Sequence, residues 1–209
     1  MSLAFRSAVA GSIALAGIAL GDAVTHGLTG NYSVFSDDYG TTGLWLAGNV
    51  AHGLTYAALA WVLVSEGRRV DAGSRGRRII RRGLLGSFGA LAVYFLVATP
   101  YFYATDADLD SVPPVIAAPL VAFPLMFVFA LALGVSTRRM AELRPASLTL
   151  LAILPVIGLT AVLAVVAPDF AHPAYLETVV NFGVALIGYH AVDRSREVAK
   201  ETARSMDVR

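Results

Sequence analysis

The chain contains no cysteine, which removes disulfides, thiolate nucleophiles, CxxC redox pairs and every Cys-ligated zinc or iron–sulfur centre. Lysine is almost absent as well, Lys200 being alone among sixteen basic residues. Charge of either sign is sparse, at 15% of residues against 56% hydrophobic, and the mean hydropathy is +0.66. Soluble domains carry about 25% charged residues, so this is the composition of a membrane protein and one that calls for no nucleic-acid partner. The sequence also lacks a Walker A loop, a GxSxG elbow, a dinucleotide fingerprint, an HExxH helix and an intramembrane aspartate-rich diphosphate–metal cluster.

What is present is a set of apolar runs long enough to cross a hydrocarbon core about 30 Å thick. They lie at 7–28, 42–64, 84–104, 113–135, 146–166 and 175–192, and predict an all-α integral membrane protein, a single six-transmembrane-helix bundle with a short helical tail at 193–209. The first run follows Arg6 as a secretory signal would, but is read as a span. Basic residues set the orientation, because Arg and Lys are retained in the cytoplasm during insertion. Arg6 precedes the first span, Arg68, Arg69, Arg75, Arg77, Arg78, Arg81 and Arg82 fill the second connection, and Arg138, Arg139 and Arg144 fill the fourth. Arg194, Arg196, Lys200, Arg204 and Arg209 follow the sixth. The other side carries Asp37, Asp38, Asp106, Asp108, Asp110 and Asp169. The expectation is a multi-pass protein of the cell membrane with both termini cytoplasmic.

Secondary features fit this frame. Trp45, Tyr101, Tyr103 and Tyr175 sit at expected outer ends, Trp61 and Tyr189 at inner ends, where amphipathic rings favour the headgroup level. Gly17, Gly21, Gly43, Gly48, Gly53, Gly83, Gly86 and Gly89 are expected to serve close helix packing within the chain, with a homo-oligomer contact as the alternative. Pro119, Pro124 and Pro155 fall inside spans, where each removes a backbone donor. The arginine-rich second connection reads as a topology determinant that would also suit anionic lipid headgroups.

Polar groups inside lipid are costly and so draw functional hypotheses. At about 1.5 Å per residue, Asp22 lies about 9 Å and His26 about 3 Å below the outer end of the first span, Asn49 about 10 Å and His52 about 15 Å along the second, and Glu177 about 3 Å and Asn181 about 9 Å along the sixth. Each pair is three or four residues apart and shares a helix face. Tyr94 and Thr99 of the third span add to the same layer. The candidate ligand-binding set is therefore Asp22, His26, Asn49, His52, Tyr94 and Asn181, with Asp22, Glu177 and His52 as candidate acid–base groups. The plainer alternative is that these groups only hydrogen-bond one another across helices. His190, near the inner end, is read as interfacial.

No cofactor or metal is assigned. Asp22, His26 and His52 would form a three-ligand zinc set but match no spacing motif. A bis-histidine haem needs ligands at equal depth, and His26 and His52 differ by about 12 Å. The leading expectation is an outward-facing cavity that binds or transports a small solute or ion. The alternatives are a membrane-embedded acid–base enzyme acting on a lipid or isoprenoid, such as a cyclase or isomerase, and an accessory subunit of a membrane complex.

Overall fold

The computed structural model describes residues 2–36, 41–105 and 113–189, the side chains of 113–117 excepted. The expected tail and His190, and the acidic positions Asp37, Asp38, Asp106, Asp108 and Asp110, lie outside them. Every regular element described is helical: α1 Leu3–Thr29, α2 Thr42–Ser65, α3 Gly67–Asp71, α4 Arg75–Val93, α5 Thr99–Thr105, α6 Pro113–Thr137, α7 Arg144–Leu151, α8 Ile153–Val166 and α9 Ala174–Ile187, with short 3-10 turns before α7 and α9. Five helical stretches among the described residues are long and apolar enough to span a membrane, namely Leu3–Thr29, Thr42–Ser65, Arg75–Thr105, Ala118–Thr137 and Ala141–Val166.

Local chemistry sets the ends and breaks. Ser2 caps α1 by accepting the Phe5 N–H, and Gly30, at a φ of 73°, closes it by donating to His26 O. Ser74 caps α4 through the Arg77 N–H, so the third long helix begins at Arg75, inside the arginine-rich connection, rather than at 84. α4 runs into α5 through a π-helical turn, Tyr94–Ala98. Pro100 explains it: in a regular α-helix its ring would meet the carbonyl four residues back, and a widened turn relieves that clash. The Thr99 hydroxyl then donates to Tyr94 O at 3.1 Å. Pro155 acts similarly on the expected fifth span. It offers no N–H to Leu151 O, and α7 and α8 meet in a break at Ala152.

Packing closes a ring in the order α1, α2, α4, α6, α7, α9, with α9 also touching α2, α6 and α8. α9 has only 14 residues, about 21 Å of helix, yet it is heavily buried, including Val180, Asn181, Val184, Ala185 and Ile187. α8 is the opposite case, apolar throughout with only Ile153 buried, as expected of a helix whose solvent is lipid. Tyr56, Phe88, Leu59, Leu63, Leu84, Met126 and Leu150 fill the shared core. Gly183 makes one close approach possible, since a Cβ there would fall 2.5 Å from Leu150 Cδ2.

The expected packing role of the glycines needs correction. Gly53 and Gly83 do abut Leu96 and Phe129, and Gly48 lies beside Phe35. Gly17, Gly21, Gly43, Gly86 and Gly89 have no neighbour within 4 Å of a built Cβ. Their faces are not contacts within this chain.

At the arginine-rich end, Arg81 grips Asp71 through Nε at 2.8 Å and Nη2 at 3.0 Å and donates to Leu63 O at 3.1 Å. α2, α3 and α4 are thereby clamped together. Arg69 donates to Ile187 O, tying the C-terminus of α9 to the same end and answering the negative pole of that helix.

Candidate functional site

At the end away from the arginines, α1, α2, the π turn and two connections enclose a cavity of about 330 Å³, open on one side. Its walls hold Asp22, Asn49, His52 and His172 together with Tyr32, Phe35, Trp45 and Phe95. Small-ligand pockets start at about 300 Å³, so the space suits a compact solute.

Each wall has a local cause. After Gly30 reverses the chain, the 31–36 segment folds back on α1, and the Ser33 N–H donates to Asp22 Oδ1 at 2.9 Å. Tyr32 stacks on His26 with ring centroids 4.6 Å apart. On α2, Trp45, Gly48, Asn49 and His52 recur at helical spacing and present one face. The Asn49 amide donates to Trp45 O at 2.9 Å. His52 Nδ1 lies 2.8 Å from Gly48 O; a carbonyl can only accept, so Nδ1 carries the proton and Nε2 of the neutral ring is left as an acceptor. Phe95 stacks on His52 at 5.1 Å.

His172 arrives from the connection between α8 and α9. Its Nδ1 accepts the Ala174 N–H at 3.2 Å, which places the proton of the neutral ring on Nε2 as a donor. Burial holds its pKa below the usual 6.5; Asp22 pulls it upward and His26 pushes it further down. The cavity thus combines one carboxyl group, one imidazole acceptor, one imidazole donor and four aromatic faces. Neither Arg nor Lys lines it, and the ion pairs among the described residues involve Arg69, Arg78 and Arg81 at the opposite end.

Asp22, Asn49 and His52 of the expected set meet at this cavity, whereas His26, Tyr94 and Asn181 do not line it. His26 stands at the rim, its Nδ1 2.8 Å from Asp169 O. Tyr94 is displaced by the π turn, which turns the next residue, Phe95, to the wall. Glu177 and Asn181 lie deeper, at 6% and 1% exposure. Glu177 Oε1 accepts the Tyr56 hydroxyl at 2.5 Å. Glu177 is therefore neither at headgroup water nor on the cavity wall. The Asp22, His26 and His52 zinc set is not assembled, and no group of three His, Cys, Asp or Glu that could hold a metal ion occurs among the described residues.

Sequence reasoning missed His172, Tyr32, Phe95 and the Tyr56–Glu177 pair. His172 could have been found, since it lies two residues ahead of the start of α9. Tyr56 lies four residues after His52, on the same face of α2. Phe95 required foresight of the π turn. Comparison with known families, curated proteins and solved structures returns no match.

Proposed function

We propose that this protein is a six-span membrane protein that binds a small cationic solute in an outward-facing cavity, as a binding or transport protein. The observation that carries this reading is the convergence of Asp22, Asn49, His52 and His172 on one aromatic-walled cavity with no basic residue other than imidazole. A carboxyl group and aromatic faces attract cations, the rings contributing about 0.5–2 kcal/mol through cation–π contact. The topology rests on the positive-inside rule, which assigns the arginine-rich end to the cytoplasm and the cavity to the other side. α9 supports a sixth crossing, because it starts beside His172 of the cavity and ends at Arg69 of the basic end.

Less supports a lipid-modifying enzyme. Glu177, the second acid such a mechanism would use, is held behind Tyr56.

Binding to protein in lipid nanodiscs, followed by calorimetry with tetramethylammonium, methylammonium and guanidinium, tests the proposal. At least one probe should bind saturably, and Asp22→Asn should weaken it at least about tenfold, equivalent to about 1.4 kcal/mol. Absence of saturable binding by all three, or binding indifferent to Asp22→Asn, overturns it.

A further inference from the structure

Below the cavity lies a second polar group that the solute reading does not use. Tyr56 is fully buried and donates to Glu177. One helical turn further along α9, Asn181 is 1% exposed and its Oδ1 has no hydrogen-bond partner. Ser12 on α1 is fully buried, and its Oγ likewise has none. α1 and α9 run antiparallel, Phe5 lying against Gly188 at one end and Ala19 and Ala23 clustering with Ala174 at the other. That register brings Ser12 and Asn181 to about the same level.

An unsatisfied buried acceptor costs about 1–3 kcal/mol, so Asn181 Oδ1 calls for a donor. Glu177 sits four residues earlier on the same helix, the spacing at which side chains meet, and helical side chains lean toward the N-terminus, here toward Glu177. A carboxylate only accepts; a carboxylic acid has one O–H to give. We infer that Glu177 is a proton-exchange site, whose protonated form donates to Asn181 Oδ1 while still accepting from Tyr56.

The route for the proton comes from the cavity. His52 is on its wall with Nε2 as acceptor, and its ring centroid lies 6.3 Å from that of Tyr56. An aqueous proton is taken up on His52 Nε2; Tyr56 Oη–H passes its proton to Glu177 and is reprotonated from His52. Every group returns to its starting form except Glu177, now a neutral acid, and no electrons move. The elements packed on α9 offer little competition. α6 and α8 carry no titratable residue, α7 has only Arg144 at the basic end, and α1 has Arg6, Asp22 and His26 near its ends. α2 contributes His52 and Tyr56 themselves. The inference uses the cavity as an access to water and does not depend on which solute it binds.

Infrared difference spectroscopy of the protein in nanodiscs, without added solute, tests it across about pH 5 to 8, the window of imidazole titration. A protonated-carboxyl C=O band should appear and disappear with pH, vanish in Glu177→Gln and shift in Asn181→Leu, while Ser12→Ala leaves its frequency unchanged. His52→Phe should slow its response to a pH jump at least about tenfold. A band that survives Glu177→Gln, does not respond to pH, or is indifferent to Asn181→Leu overturns the proposal, as does a shift in Ser12→Ala equal to that in Asn181→Leu. Failure of solute binding in the calorimetry leaves these outcomes unaffected.

Discussion

Asp71 and His172 show how position decides what a titratable side chain does. The Arg81 hydrogen bonds hold the Asp71 carboxyl below its ordinary value of 3.8, with Arg78 assisting and burial opposing. A carboxyl lowered on folding contributes stability above its unfolded pKa and loses it as pH falls through the folded one. Asp71→Asn should therefore lower thermal stability in detergent at neutral pH by about 1–3 kcal/mol, the range for a buried partner left unsatisfied. The deficit should shrink as pH drops below the ordinary aspartate range. His172 has the opposite consequence. Its lowered pKa keeps it neutral at pH 7, and protonation at lower pH adds a positive charge to the cavity. Cation affinity should be flat from neutral pH down to the usual 6.5 and fall below it, and His172→Gln should remove most of that fall in the same calorimetric assay. Asp22, Asn49 and His52 were legible in the sequence because a polar residue inside an apolar run stands out. His172 was not, because a histidine in a polar connection has no such contrast and only the chain's return over α1 brings it to the cavity.

Between residue and bundle, the π turn at Tyr94–Ala98 does what no side chain does alone. It inserts one residue into a turn, rotates the register by about 100°, and so exchanges Tyr94 for Phe95 on the cavity wall. Gly53, whose missing Cβ would otherwise fall 2.5 Å from Leu96 Cγ, lets α2 approach this widened turn. Pro100→Ala restores the donor and removes the clash that favours the turn. The expected outcome is separable from misfolding: thermal stability unchanged or raised, because proline costs about 3 kcal/mol in a helix interior, but cation affinity reduced several-fold as Phe95 leaves His52. Calorimetry and thermal unfolding on the same preparation check both halves. Helix lengths explain what else was hidden. Long apolar runs announced α1, α2 and α6 almost to their ends, whereas the break between α7 and α8 and the 113–135 and 84–104 limits depended on capping residues and prolines whose effect is local. α9 matches an apolar run at 175–192 in the sequence, but its burial comes from five neighbours that no single run reveals.

For the whole molecule, the uneven distribution of charge makes a topological claim that can be checked without any ligand. Every basic residue lies in the connections or termini assigned to one side, and moving that many arginines across a bilayer is disfavoured during insertion. The absence of cysteine makes single-cysteine labelling clean. In intact spheroplasts, Asn31→Cys, exposed beside the cavity, should react with a membrane-impermeant maleimide. Arg68→Cys, exposed at the basic end, should react only after permeabilisation. Ser205→Cys, in the tail, distinguishes five crossings from six. If α9 carries the chain across, as its link from the cavity to Arg69 implies, Ser205→Cys behaves like Arg68→Cys; labelling of it from outside would place the tail on the cavity side. The same result bears on the cavity. Outside labelling of Asn31→Cys blocked by saturating tetramethylammonium would put the solute in the space beneath the 31–36 segment, because Tyr32, Phe35 and Ser36 of that segment form part of its wall.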